Sequence, residues 1–170
     1  MGDILNENYE EININASNSL KYMINALNSD FEFYECGFEY EYSPFEQSIK
    51  EYCDSYADFY IEHDANEIFF NSLVSVVEAV VNCNANYYDE DFFRPIELIT
   101  YYLGKLIISS EDDLKNKIHD WLLDFIDEWE GDMIVEEYFK PFVNGERVYH
   151  ADEYYTGYND FNEVISIYKK

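Results

Sequence analysis

Apolar residues recur at helical spacing along most of this chain. Leu20, Met23, Ile24 and Leu27 fall at i, i+3, i+4 and i+7 behind Ser17 as a cap, which predicts a helix with one apolar stripe. Asn18, Lys21, Asn25 and Asn28 take its other face. Over residues 31–42 the period changes to two: aromatic and acidic residues alternate on each side of a phase change at Cys36 and Gly37, predicting a hairpin or bulged ribbon. Ser43 as cap, Pro44 at the first helical position and Glu46 three residues after the cap then announce a second helix. Phe45, Ile49, Tyr52, Cys53, Tyr56 and Tyr60 make up its apolar side.

Asp64 with Glu67 has the spacing of another capping box, and residues 68–81 are apolar almost all round, which predicts a central buried helix. Its narrow polar edge is Asn71, Ser75, Glu78 and Asn82. An acidic loop follows at Asp89, Glu90 and Asp91, and Pro95 is expected to start the next helix, carrying Ile96, Ile99, Leu103, Leu106 and Ile107. After Ser109 and Ser110, residues 111–130 give the cleanest amphipathic pattern, with Leu114, Ile118, Trp121, Leu122, Phe125 and Trp129 on one face and Gly131 as the stop. Asn144 and Gly145 between apolar pairs predict a type I′ hairpin over 142–149, and 163–168 reads as a final strand. The expected fold is α+β: one helix-rich acidic domain over residues 1–170, with about five helices and a small antiparallel sheet.

Composition changes the picture in one respect. Hydrophobic residues make up 48% of the 170 and aromatics 19%, with 18 Tyr and 13 Phe, so the chain has the material for a core and the disordered reading of acidic sequences does not apply. Yet 37 Asp and Glu stand against 10 Lys and Arg, a formal net charge of -27. Solubility asks for a net charge of only about 2 to 8 in a small domain, and more adds self-repulsion. Direct binding to nucleic acid or to an anionic membrane is disfavoured, because both attract Lys and Arg. No stretch has the apolar length of a membrane span, and the first residues lack the basic and apolar regions of a signal peptide. Cys36, Cys53 and Cys83, odd in number and far apart, read as buried thiols in a reducing compartment. The expected location is the cytoplasm, the host's if the chain is phage-encoded.

Catalytic and metal motifs are thin. His63, His119 and His150 are isolated, and the trio Glu62, His63 and Asp64 occupies successive positions that do not converge on one ion. Asp89, Glu90 and Asp91 lack the spaced oxygens and the glycine of a calcium loop. There is no phosphate-binding glycine motif and no marked nucleophile. No catalytic residue, metal ligand or cofactor is assigned, and a non-enzymatic role is expected.

The acids themselves form the pattern that remains. Residues 1–93 hold 20 acids and 2 bases, Lys21 and Lys50. Glu51, Asp54, Asp58 and Glu62 recur every three or four residues, so at about 1.5 Å rise per residue their carboxylates stand roughly 4.5 to 6 Å apart along one ridge. Asp113, Asp120, Asp124, Asp127 and Glu128 make a second ridge, and Glu32, Glu39 and Glu41 a third on the expected ribbon. Duplex DNA carries a charge about every 3.4 Å on each strand, a density these ridges approach. An ordinary solvated helix face mixes Glu with Lys at i, i+4, and that mixing is scarce over the first 93 residues.

In charge, size and aromatic content the chain is similar to the acidic DNA-mimic inhibitors of phages and mobile elements, which block restriction enzymes, CRISPR effectors or other DNA-binding proteins. The resemblance implies a partner that is a basic DNA-binding protein, such as a nuclease of a host defence system. The oligomeric state of the chain itself stays open between monomer and homodimer, since an exposed aromatic strand could pair between protomers. The competing readings are an immunity protein neutralising a basic nuclease toxin and an acidic regulatory binding module. A compact patch beside an active site suits the immunity protein. Charge spread along a groove suits the mimic.

Overall fold

The computed structural model describes residues 2–29, 44–82 and 90–145. These form α1 (Gly2–Ser29), α2 (Pro44–Glu62), α3 (Asn66–Asn82), α4 (Glu90–Ser109) and α5 (Asp112–Glu128), then a π-helical stretch (Val135–Phe139) that runs into the short α6 (Lys140–Val143). Among the described residues there is no strand, so the α+β expectation gives way to an all-helical fold. The expected ribbon at 31–42 and the strand at 163–168 lie outside the described residues.

The hairpin over 142–149 fails for a local reason. Phe142 and Val143 are the last residues of α6, and Asn144 has φ -80° and ψ -1°, whereas a type I′ turn needs positive φ at both central residues. Gly145 alone is left-handed, at φ 70°, with its N–H donating to the Phe142 carbonyl at 3.0 Å. Asn-Gly here ends a helix with glycine past the cap, which is the other context that favours a left-handed residue.

Asp64 is a second reassignment. Its φ is 54°, its N–H donates to the Ile61 carbonyl at 3.3 Å, and the Ala65 N–H donates to the Tyr60 carbonyl at 2.8 Å. That pair of bonds is a Schellman stop for α2, so Asp64 closes one helix instead of capping the next. Glu67 pairs with Lys117 of α5. α1 is longer than its apolar stripe suggested, and Ser17 lies inside it; α4 begins five residues ahead of Pro95, so Glu90 and Asp91 are helical and Pro95 is interior.

α1 packs on α2 and α3, and α4 packs on α2, α3 and α5. The most enclosed helix is α4, not α3: every residue from Pro95 to Leu103 is buried. α3 buries Phe69, Phe70, Leu73, Val76, Val77 and Val80, and its expected polar edge at Asn71, Glu78 and Asn82 is exposed. Phe69 and Phe70 point into two aromatic groups. Phe69 lies 6.2 Å from the rings of Tyr52 and Tyr60 and 6.0 Å from that of Tyr102. Phe70 meets Trp121 edge-on at 5.9 Å, and Trp121 in turn meets Phe125 and Phe139. Aromatic pairs at such distances add roughly 0.5 to 1.5 kcal/mol each beyond the area they bury. The π-helical stretch stands just ahead of Pro141, which has no N–H to give to the preceding turn. Glu136 in that stretch accepts from Lys140 Nζ at 2.7 Å and from the Gly131 N–H at 3.1 Å, and these donors hold its carboxyl below the usual range.

Two outcomes follow from this core. Leu103→Ala, at a fully buried position of α4, should cost about 2 to 5 kcal/mol in urea unfolding, whereas Leu123→Ala, on the exposed side of α5, should stay within about 0.5 kcal/mol. Burial pushes the Tyr52 and Tyr60 phenols above their ordinary value. A phenol raised in the folded state favours folding below its unfolded pKa of about 10, and that contribution is lost as pH climbs from there through the raised folded values. Urea midpoints should therefore fall from about pH 10 upward, and Tyr52→Phe should flatten the fall.

Candidate acidic interface

The first ridge is the outward crest of α2. Glu51, Asp54, Asp58 and Glu62 are all exposed, because the opposite side of the helix is taken by Phe45, Ile49, Tyr52, Cys53, Ala57 and Tyr60. The four acids are not equivalent. Asp54 accepts from Lys50 Nζ at 2.7 Å through one oxygen and from the Tyr102 hydroxyl at 3.1 Å through the other. It is tethered to α4 and its charge is partly answered. Glu51 accepts from Gln47 Nε2 at 2.6 Å. Asp58 and Glu62 have no ion pair among the described residues, so the unscreened end of the ridge is its C-terminal half.

The second ridge lies on α5. Asp113, Asp120, Asp124, Asp127 and Glu128 are exposed, opposite the buried Ile118, Leu122 and Phe125, and none of them is ion-paired among the described residues. Of the lysines of this helix, Lys117 reaches across to Glu67 of α3. Glu32, Glu39 and Glu41, the third set, lie outside the described residues. The two described ridges stand on helices that both pack against α4, which fixes each of them to the most buried part of the fold.

The acid expected to complete the cap of α2 behaves differently from the others. Glu46 is fully buried, as is Glu97 on α4. Nothing in the local sequence separates Glu46 from its solvated neighbours except its place on the helix face that carries Phe45 and Ile49. Cys53 is buried, and burial followed by the charge of Asp54 pushes its thiol well up, which leaves it a core residue without thiolate character. His63 donates Nδ1–H to the Phe59 carbonyl at 2.7 Å and lies against the rings of Phe59 and Tyr9, finishing the end of α2.

Two concave sites escaped the sequence reading. An open cleft of about 510 Å³ lies where the start of α3 meets the α4–α5 turn, with Asp64, Glu67, Glu111, Asp113 and Lys117 in its wall. Asn66 spans its base, donating to Ser110 Oγ at 2.9 Å and to Ser109 Oγ at 3.2 Å. A groove of about 520 Å³ runs between α1 and α2, walled by Tyr22 and Tyr56 over Tyr52. The available signal for the groove was serine recurring among tyrosines on one side of α2, at Ser48, Tyr52, Ser55 and Tyr56. Among the described residues no group of three or more His, Cys, Asp and Glu is arranged to hold a metal ion, and no helix is long and apolar enough to cross a membrane. No family model matches the chain, and no curated protein or solved structure matches it.

Proposed function

We propose that this protein is an acidic inhibitor that occupies the cationic DNA-binding groove of another protein, in the manner of a DNA mimic, with a nuclease of a restriction or CRISPR system as the target class. The observation that carries the reading is the run of exposed carboxylates on α2 and α5, most of them without an ion-pair partner among the described residues, held at helical spacing on a core that fixes their positions. Like charges at i, i+4 oppose helix formation by a few tenths of a kcal/mol per pair, so both ridges are kept against a local cost. A cationic partner reverses that cost on binding. Lys and Arg groups that otherwise meet phosphates would meet Asp58, Glu62, Asp120, Asp124, Asp127 and Glu128 instead, and DNA would be excluded from the same groove.

Charge reversal locates the contact. Asp58→Lys with Glu62→Lys should weaken capture of the target by at least tenfold while leaving urea stability unchanged or higher, since both positions are exposed and repelled by neighbours. The same pair on an inhibitor held by charge should also reduce the fall in affinity between about 0.15 M and 0.5 M salt. Retained binding would remove α2 from the interface.

Exclusion of DNA is tested by titrating a target nuclease and labelled duplex with the protein, added before or after the DNA. Inhibition should be competitive and stoichiometric, and should extend to specific and non-specific DNA alike, because phosphate contacts position a protein without reading sequence. A stable ternary complex with DNA still seated would overturn the reading.

A further inference from the structure

The groove between α1 and α2 has the makings of a receptor for one kind of side chain. Its floor is Tyr52, 3% exposed, whose ring lies 5.3 Å from that of Tyr56 at an interplanar angle of 56°. Tyr22 of α1 lines the same groove and leaves 66% of its surface in solvent, the largest fraction among the described large hydrophobic side chains. The space between these rings exists because the intervening positions are small: Ser19 on α1 and Ser48 and Ser55 on α2. Leu or Met at those positions would close the groove by ordinary helix–helix packing. Instead it stays open with two aromatic walls and hydroxyl-bearing rims.

Charge completes the description. Glu51 lies on the rim, and its Oε1 is taken by Gln47, which leaves Oε2 for another donor. Among the described residues no Lys or Arg lines the groove. A planar cation that stacks on a ring face while donating to a carboxylate at the edge fits this arrangement, and among protein side chains that is the guanidinium of arginine; lysine's compact, strongly hydrated ammonium stacks less well.

We infer that the α1–α2 groove receives an arginine side chain of the cationic partner, with the guanidinium on Tyr22 and Tyr56 and against Glu51. The inference rests on the proposed inhibitor reading and deepens it. The acidic crest of α2 supplies attraction at a distance, and the adjoining groove supplies a contact that distinguishes arginine from a general positive charge.

The test uses the full chain and the probe N-acetyl-arginine amide, followed by NMR. Ring resonances of Tyr22 and Tyr56 should shift saturably, the matched lysine probe should act more weakly, and Tyr22→Ala or Glu51→Gln should each weaken the arginine response by about twofold to fivefold. Both substitutions are at exposed positions, and unchanged circular dichroism will confirm that the fold is kept. Arginine shifts confined to residues around Asp58, Glu62 or the α5 ridge, with Tyr22 and Tyr56 unmoved, would overturn the groove and leave the charge-based reading standing. An equal response to lysine or to tetramethylammonium would overturn the assignment of arginine. Conversely, arginine seated in the groove of a protein that fails to compete with DNA would keep this site and sink the mimic.

Discussion

This fold is held together against its own charge. A net charge of -27 over 170 residues favours any arrangement that lets the acids move apart, and three ion pairs between described residues, Lys50–Asp54, Lys117–Glu67 and Lys140–Glu136, do little to offset it. All three are solvent-accessible, and such pairs contribute about 0 to 1 kcal/mol each. The opposing term is burial. Phe69 and Phe70 sit back to back in sequence on α3 and face two ring groups, one built on α2 and α4 and the other on α5 and the π-helical stretch. A single turn of α3 thereby joins both ends of the aromatic core. α4 fills the space between them with a continuous buried run, and most of the described acids, Glu46 and Glu97 excepted, are left with the outer faces.

This division explains why the faces of the helices were legible and some of their ends were not. An apolar stripe at Ile118, Leu122 and Phe125 or at Phe69, Leu73 and Val76 has one low-energy placement, so the positions opposite it, including Asp120, Asp124 and Glu78, have to be outside. Helix ends depend on finer competition. Asp64 at i relative to Glu67 satisfies a capping-box pattern, but the same residue tolerates positive φ, and closing α2 with two backbone bonds won. Asn144 and Gly145 fit a hairpin turn in sequence, and the α6 helix ahead of them made the glycine a stop. Glu90 and Asp91 read as loop because they are acidic and precede a proline; helix N-termini favour acids, and the helix starts there.

The candidate interface was legible in the same measure. Alternation at three and four residues was enough to place Asp58 and Glu62 or Asp120 and Asp124 on one exposed ridge, because helix geometry alone sets that. The engagement of Asp54 by Lys50 and Tyr102 was not readable, since it needs α4 to lie alongside α2. Nor was the groove, which is a property of two helices and of the small residues where they meet.

The way α1 is held has a consequence for how that groove behaves in time. Over residues 8–28, α1 commits Ala16, Met23, Ala26 and Leu27 to the interior, two of them only a methyl group in size, and is further tied by the Tyr60 hydroxyl donating to Asn13 at 2.7 Å. α4, by comparison, surrenders nearly ten consecutive side chains. Local opening follows the density of buried contacts, so amide hydrogens of α1 should exchange with solvent well before those of α4, and the Tyr22 wall rides on the looser partner. A groove with one firmer and one looser side would admit a bulky planar group by a small excursion of α1, without disturbing the core on which both acidic crests stand.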